Sequence, residues 1–220
     1  MAKSKALLII FMENNIERMK RALAGGVNPN KKLNKQGHKA LHVAAGKGHQ
    51  EMVLLLLQQP DIKLNIRDKE GDTPLHIAAH YGHQEVVLLL LNQPGIDVNA
   101  SSFKGWIALH EAAYNDHEEV LGVLLDHPSS ASYSHSHYSC ALHLAVYGSA
   151  GPSLLRRLLA HPSTDPNETN MVGETALMAL FHNDGNLVEH LQAFAECAKV
   201  DLDCLDLKDQ EGRSLDDLAR

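Results

Sequence analysis

Aromatic residues are scarce in this 220-residue chain: they make up 5% of it, with a single tryptophan. Large rings therefore cannot carry the core, and leucine, valine and alanine must fill it. Cysteine is scarcer still. Cys140, Cys197 and Cys204 show neither a disulfide framework nor paired metal spacing, which points to a reducing compartment. No apolar run is long enough to span a bilayer. The longest near the start, Ala6 to Met12, is separated from the cleavage-like Ala22-Leu23-Ala24 by the charged segment Glu13 to Arg21, so it reads as a first helix and not as a signal peptide. Chemical motifs are missing as well. There is no phosphate-binding glycine loop, no H-E-x-x-H pair and no G-x-S-x-G elbow. No catalysis, cofactor or resident metal is expected, and the chain is expected in the cytoplasm or nucleus. Disorder is excluded for most of its length by an apolar content of 44%.

What the chain does have is self-similarity. Leu41, Leu75, Leu109, Leu142 and Leu177 recur at steps of 34, 34, 33 and 35 residues. Four positions before them stand Gly37, Gly71, Gly105, Tyr138 and Gly173, and the first four are followed by His42, His76, His110 and His143. Gly48-His49, Gly82-His83 and Asp116-His117 keep a second register. The stretch Asp68 to Ala100 is the most regular copy. Thr73 is placed to cap a helix whose first residue is Pro74, Gly82 stops it, and Val86 to Leu91 begins a second apolar helix. Neither helix is long enough to be stable alone.

A period near 33 with a T-P-L-H-x-A core is the ankyrin signature, and the chain resembles the ankyrin-repeat family over almost its whole length. The resemblance implies an all-α solenoid of stacked helix-turn-helix units with hairpin-like loops. The expected division is a capping repeat at 1–33, repeats at 34–67, 68–101, 102–134, 135–169 and 170–208, and a partial repeat at 209–220, all within one domain. Repeat five departs from the pattern in its irregular approach, His127 to Tyr138, and repeat six carries a longer second helix, Leu187 to Lys199. The half unit at the end reads as a carboxy-terminal cap or as the first part of a longer protein.

Fifteen histidines invite a metal site. Seven of them, His42, His49, His76, His83, His110, His117 and His143, hold motif positions, where family resemblance implies hydrogen bonds between loops. His135, His137, Cys140 and His143 make the one compact group, in a spacing that matches no zinc pattern. The six serines between Ser129 and Ser139 read as a polar fingertip, with phosphorylation as the alternative. Asn65, Asn99 and Asn167 are turn-stabilising asparagines by resemblance, and Asn99 is the candidate for asparaginyl hydroxylation. Residues 1–47 carry ten Lys or Arg against two acids, whereas residues 184–220 carry ten acids against four bases. With little aromatic interleaving in the basic segment, nucleic acid is not the expected partner.

Family resemblance puts a protein partner on the concave side, on loop tips and the exposed face of each first helix. The matching positions here are Lys47, Asp72, His80, Tyr81, Phe103, Trp106, Tyr114, Asn115 and Tyr147. Five of these are aromatic, although aromatics normally go to the core, and exposed Trp and Tyr are enriched in binding hot spots. The competing reading folds Trp106 over a neighbouring loop and Tyr114 over a helix end. The expected function is a monomeric, non-catalytic protein-interaction module that binds no nucleic acid and no membrane, with its centre on repeats three to five. The alternatives are a regulatory or substrate-recognition segment of a larger multidomain protein, such as an enzyme or ubiquitin-ligase component, and a microbial or viral effector that mimics host ankyrin proteins.

Overall fold

The computed structural model describes residues 7–11, 13–128, 135–148, 150–180 and 187–197. Most of the serine patch, the half unit at 209–220 and Cys204 lie outside them. The described chain is helical, with a lone bridge between Thr169 and Thr175 in place of any strand. It divides into two compact units, one of residues 1–111 with 123–127, the other of 112–122 with 128–220.

After the helical residues 7–11, the first unit is built from α1 (Ile16–Ala24), α2 (Ala40–Gly46), α3 (Gln50–Leu57), α4 (Pro74–His80) and α5 (Gln84–Leu91). Helices α6 (Ala108–Tyr114) and α7 (Glu118–Asp126) contribute to both units. The second unit continues with α8 (His135–Tyr147), α9 (Pro152–Ala160), α10 (Ala176–Leu180) and α11 (Leu187–Ala195). Within the first unit α2 packs on α4 and α3 on α5; within the second, α8 packs on α10 and α9 on α11.

Helix composition explains this packing. The leading helix of each pair presents alanines, including Ala44, Ala45, Ala78 and Ala79, which are fully buried and let its neighbour come close. The trailing helix supplies Met52, Val53 and Leu56, or Val86, Val87 and Leu90, all buried. Each such side chain contributes about 1.5–3 kcal/mol when withdrawn from water. All five register leucines are buried. The turn after a leading helix needs a left-handed residue, which Gly48 (φ 67°) and Gly82 (φ 71°) supply without strain. Asp116 adopts it too (φ 56°), and its carboxylate accepts the Gly151 N–H at 2.9 Å.

Histidine fixes the loops. The Thr73 N–H points at His76 Nδ1 (3.2 Å), so that nitrogen accepts, and Nε2–H donates to the Trp106 carbonyl at 2.9 Å. His42 repeats the arrangement between the Lys39 N–H (3.4 Å) and the Asp72 carbonyl (3.0 Å). In the second unit His143 Nε2 reaches the Glu174 carbonyl at 2.9 Å. His83 reaches back to the Gly46 carbonyl at 3.2 Å. Asn65 joins successive links by donating to the Gly95 carbonyl (2.8 Å) and accepting from the Asp97 N–H (2.9 Å).

Each fingertip is a tight hairpin. Asp68 N–H donates to the Asp72 carbonyl at 3.0 Å, and Asp68 Oδ1 accepts from Glu70 and Asp72 N–H at 2.8 and 3.0 Å. Asn170 does the same for Val172 and Glu174. Ser102 holds this position in repeat four; its N–H meets the Trp106 carbonyl at 2.7 Å, but its buried hydroxyl has no partner among the described residues. Ser102→Asn places here the side-chain acceptor that Asp68 and Asn170 provide in their own copies. It is expected to raise stability by about 1 kcal/mol, read as a higher urea midpoint at unchanged slope.

Two expectations need correction. The approach to repeat five is not irregular as far as Tyr138, because α8 already begins at His135. The second helix of repeat six ends before the expected Lys199. It stops at Ala195, where Cys197 N–H bonds to the Phe194 carbonyl three residues back and tightens the last turn.

Candidate functional site

In the first unit the outward positions gather around the end of α4. Tyr81, the residue after that helix, is 56% exposed. Its ring lies over Gly46, where a side-chain carbon would stand 3.5 Å from the tyrosine ring and 2.9 Å from Ile77. The ring meets His80 edge-on, with centroids 4.8 Å apart. His80 Nδ1 stands 2.9 Å from Glu111 Oε2, and this hydrogen bond raises the imidazole pKa above its ordinary value. Glu111 is buried at 7% exposure. Burial also pushes the Asp72 carboxyl upward, with the charges of Asp68 and Glu111 adding to the effect.

Phe103 is the most exposed aromatic on this unit, at 74%, held at its fingertip by an N–H bond to the Glu70 carbonyl at 2.8 Å. Trp106 differs from it. It is half-buried, its carbonyl is taken by His76, and Lys104 Nζ sits 5.9 Å from its ring centroid. Lys47 is exposed just beyond α2. The unit thus offers two open rings, a cation and a desolvated acid group, the mixture of anchor and polar rim that protein interfaces use.

The second unit holds a separate set. Tyr114 and Tyr147 are 40% and 43% exposed, and Asn115 is half-buried. Tyr147 Oη donates to Glu174 Oε2 (3.3 Å) and accepts from Asn170 Nδ2 (2.8 Å). Burial, then the Glu174 charge, pushes the Tyr147 phenol upward.

Glu111 was invisible as a site residue from the motif alone, yet it carried a signal. Its register holds Val43 and Ile77 in the preceding copies. Met171 and Val172, 96% and 47% exposed, were missed as well, at a fingertip where the core imposes no pattern. Of the compact His/Cys group, Cys140 is exposed on α8 and His143 is engaged with Glu174; the side chains of His135 and His137 lie outside the described residues. Among the described residues, no three His, Cys, Asp or Glu are grouped to hold a metal ion. No helix among them is long and apolar enough to cross a membrane. Asn99 is half-buried in its link, and its N–H donates to Asp97 Oδ1 at 3.1 Å.

Comparison with known proteins agrees with the repeat fold. A sequence model described as ankyrin repeats (3 copies) matches residues 6–102 and 61–136, together more than half of the chain. No curated protein matches the chain in sequence. Among solved structures, the ankyrin repeat domain of Bcl-3, a member of the IkappaB protein family, superposes with a TM-score of 0.75 at 22% identity, over 97% of this chain and 93% of that one. A chain from the complex of the predatory endopeptidase Bd0816 of Bdellovibrio bacteriovorus with the immunity protein Bd3460 gives 0.67 at 27% identity, over 83% and 91%.

Proposed function

The chain belongs to the ankyrin-repeat family, and from that premise we propose that it is a non-catalytic module that binds a protein partner through its fingertips and the exposed ends of its leading helices. Ankyrin folds serve binding generally, and the partner is chosen by the side chains each copy adds to the shared frame. One observation carries this reading: Tyr81, Phe103, Tyr114 and Tyr147 stand 40% exposed or more, while the core, Phe11 and Phe194 apart, is filled by alanine, leucine, valine, isoleucine and methionine. Rings left in water at loop and helix ends contribute little to folding and much to binding. Within the first unit, Tyr81 and Phe103 are the anchors, with Lys47, Asp72 and His80 as polar rim and Trp106 serving both packing and contact. Tyr114, Asn115 and Tyr147 make the second unit's contribution. The module works as an adaptor, inhibitor or targeting scaffold. Its repeats follow the boundaries read from the sequence, and Asn99 is its candidate site of hydroxylation.

The test is affinity capture with the wild-type chain and a Tyr81→Ala/Phe103→Ala variant. Captured partner is expected to fall about ten-fold or more, since hot-spot rings contribute about 2 kcal/mol each. Helicity and the melting temperature stay at wild-type values. An unchanged partner list would sink the proposal, and an equal loss of thermal stability would assign these rings to packing.

A further inference from the structure

A cavity of about 300 Å³ opens in the second unit between α8 and the fingertip of repeat six. Cys140, Leu144 and Tyr147 line it from the helix, and Glu168, Asn170 and Met171 from the loop. Several of its polar groups are already occupied. His143 donates to the Glu174 carbonyl, and Tyr147, Asn170 and Glu174 are bonded to one another. Glu168 brings to the lining a carboxylate with no ion pair or hydrogen bond among the described residues. Burial and then the charge of Glu168 push the Cys140 thiol upward, which puts that carboxylate within electrostatic reach of the cavity wall.

The surrounding charge is one-sided. Among the described residues, the second unit contains eight Asp or Glu against two Arg, and the first eleven Asp or Glu against twelve Lys or Arg. Between Lys104 and Lys199 the sequence has two bases, Arg156 and Arg157. Both lie on α9, where Arg156 is paired with Glu196 at 2.8 Å and the Arg157 guanidinium lies against Gly122. Neither lines the cavity.

We propose that this cavity receives an arginine side chain from a basic segment of the partner protein, an inference that rests on the protein-binding reading above. The aliphatic stem lies along Leu144 and Met171, and the guanidinium faces the Glu168 carboxylate beside the Tyr147 ring. Each contact suits that side chain. A long basic residue buries its methylenes while its head stays solvated, a carboxylate takes a guanidinium through two parallel bonds, and an aromatic face adds attraction. Met171, 96% exposed, is flexible enough to close over the stem. The acidic unit as a whole draws a basic segment toward it.

The probe is a short fluorescein-labelled peptide of alternating leucine and arginine, titrated into the full chain by polarisation, with its glutamate counterpart as control. Glu168→Gln is expected to weaken binding about five-fold or more, and Met171→Ala about three-fold. Glu189→Gln removes the same charge from an exposed position on α11 and is expected to leave affinity within about two-fold. Failure of the arginine peptide to bind, equal binding by Glu168→Gln, or equal binding of the acidic peptide would each overturn the inference. If the Tyr81→Ala/Phe103→Ala variant still loses its captured partners in that case, the protein-binding reading stands without the arginine cavity.

Discussion

Replacing Gly148 with alanine is expected to destabilise the second unit by about 3 kcal/mol or more, toward the upper end of overpacking effects. The methyl group would stand 1.8 Å from the Tyr114 carbonyl oxygen, 2.7 Å from its carbon and 3.0 Å from its Cα. All three are backbone atoms, so no rotamer change relieves the clash, and the end of α6 or the end of α8 must move. Gly148 is not among the glycines with positive φ, so alanine there carries no left-handed strain. On conformational entropy alone it would stabilise by about 0.4–1 kcal/mol. Sign and size together therefore report the close approach of two backbones. Gly95→Ala is the comparison. That residue has φ 85° and open space around it, so its cost is backbone strain of about 1 kcal/mol. Urea unfolding followed by circular dichroism measures both. A Gly148→Ala loss no larger than that of Gly95→Ala would mean that α6 and α8 do not meet in this way.

Gly148 also marks the limit of what the sequence discloses. The repeat frame was legible because it is written several times over: the buried leucines and the histidines that tie loops hold fixed registers. Repetition averages out local ambiguity. Where a copy departs from the others there is nothing to average. Lys47, Tyr81, Asn115 and Gly148 occupy one register, and only the folded structure reveals that the last of them faces a carbonyl oxygen. The start of α8 at His135 was hidden by serine-rich composition, and the end of α11 by helix-forming residues that continue past it.

The outward aromatics could be named from register, because a position one repeat away from a loop tip is also a loop tip. Their exposure could not be ranked. Phe103 and Trp106 are three residues apart on one hairpin, yet the first stands free and the second is held by the His76 bond to its carbonyl and by Lys104 near its ring. Met171 is the opposite case. A fingertip contributes little to the core, so no periodicity constrains its side chain, and its place in a cavity beside Glu168 and Tyr147 emerges only from the fold.

Acid is expected to remove stability from the first unit through one buried imidazole. His42 is 1% exposed, and burial, the largest influence on it, lowers its pKa to about 4 against the bond to the Asp72 carbonyl, which acts the other way. In the unfolded chain it titrates near 6.5. Between these values the unfolded state binds the proton and the folded state does not, so stability rises with pH across that window. The contribution is fully present above about pH 6.5 and is lost as pH falls toward about 4. The shift corresponds to about 3 kcal/mol, a large share of the stability of a small domain. The proton has nowhere to go in the folded state, because His42 Nδ1 faces the Lys39 N–H and Nε2–H is already given to Asp72. His80 works in the opposite direction. Its pKa is raised by Glu111, so its contribution is present at low pH and disappears as pH rises through its folded value. With its side chain 43% exposed, that pair is screened by solvent and does not offset the loss at His42. Urea midpoints measured from pH 7.5 down to pH 4 are therefore expected to fall for the wild type. His42→Gln keeps an N–H able to reach the Asp72 carbonyl but has no group that titrates, so it is expected to be less stable at neutral pH and to lose markedly less on acidification. Parallel curves for the two proteins would assign the acid sensitivity to other groups and remove His42 from the account.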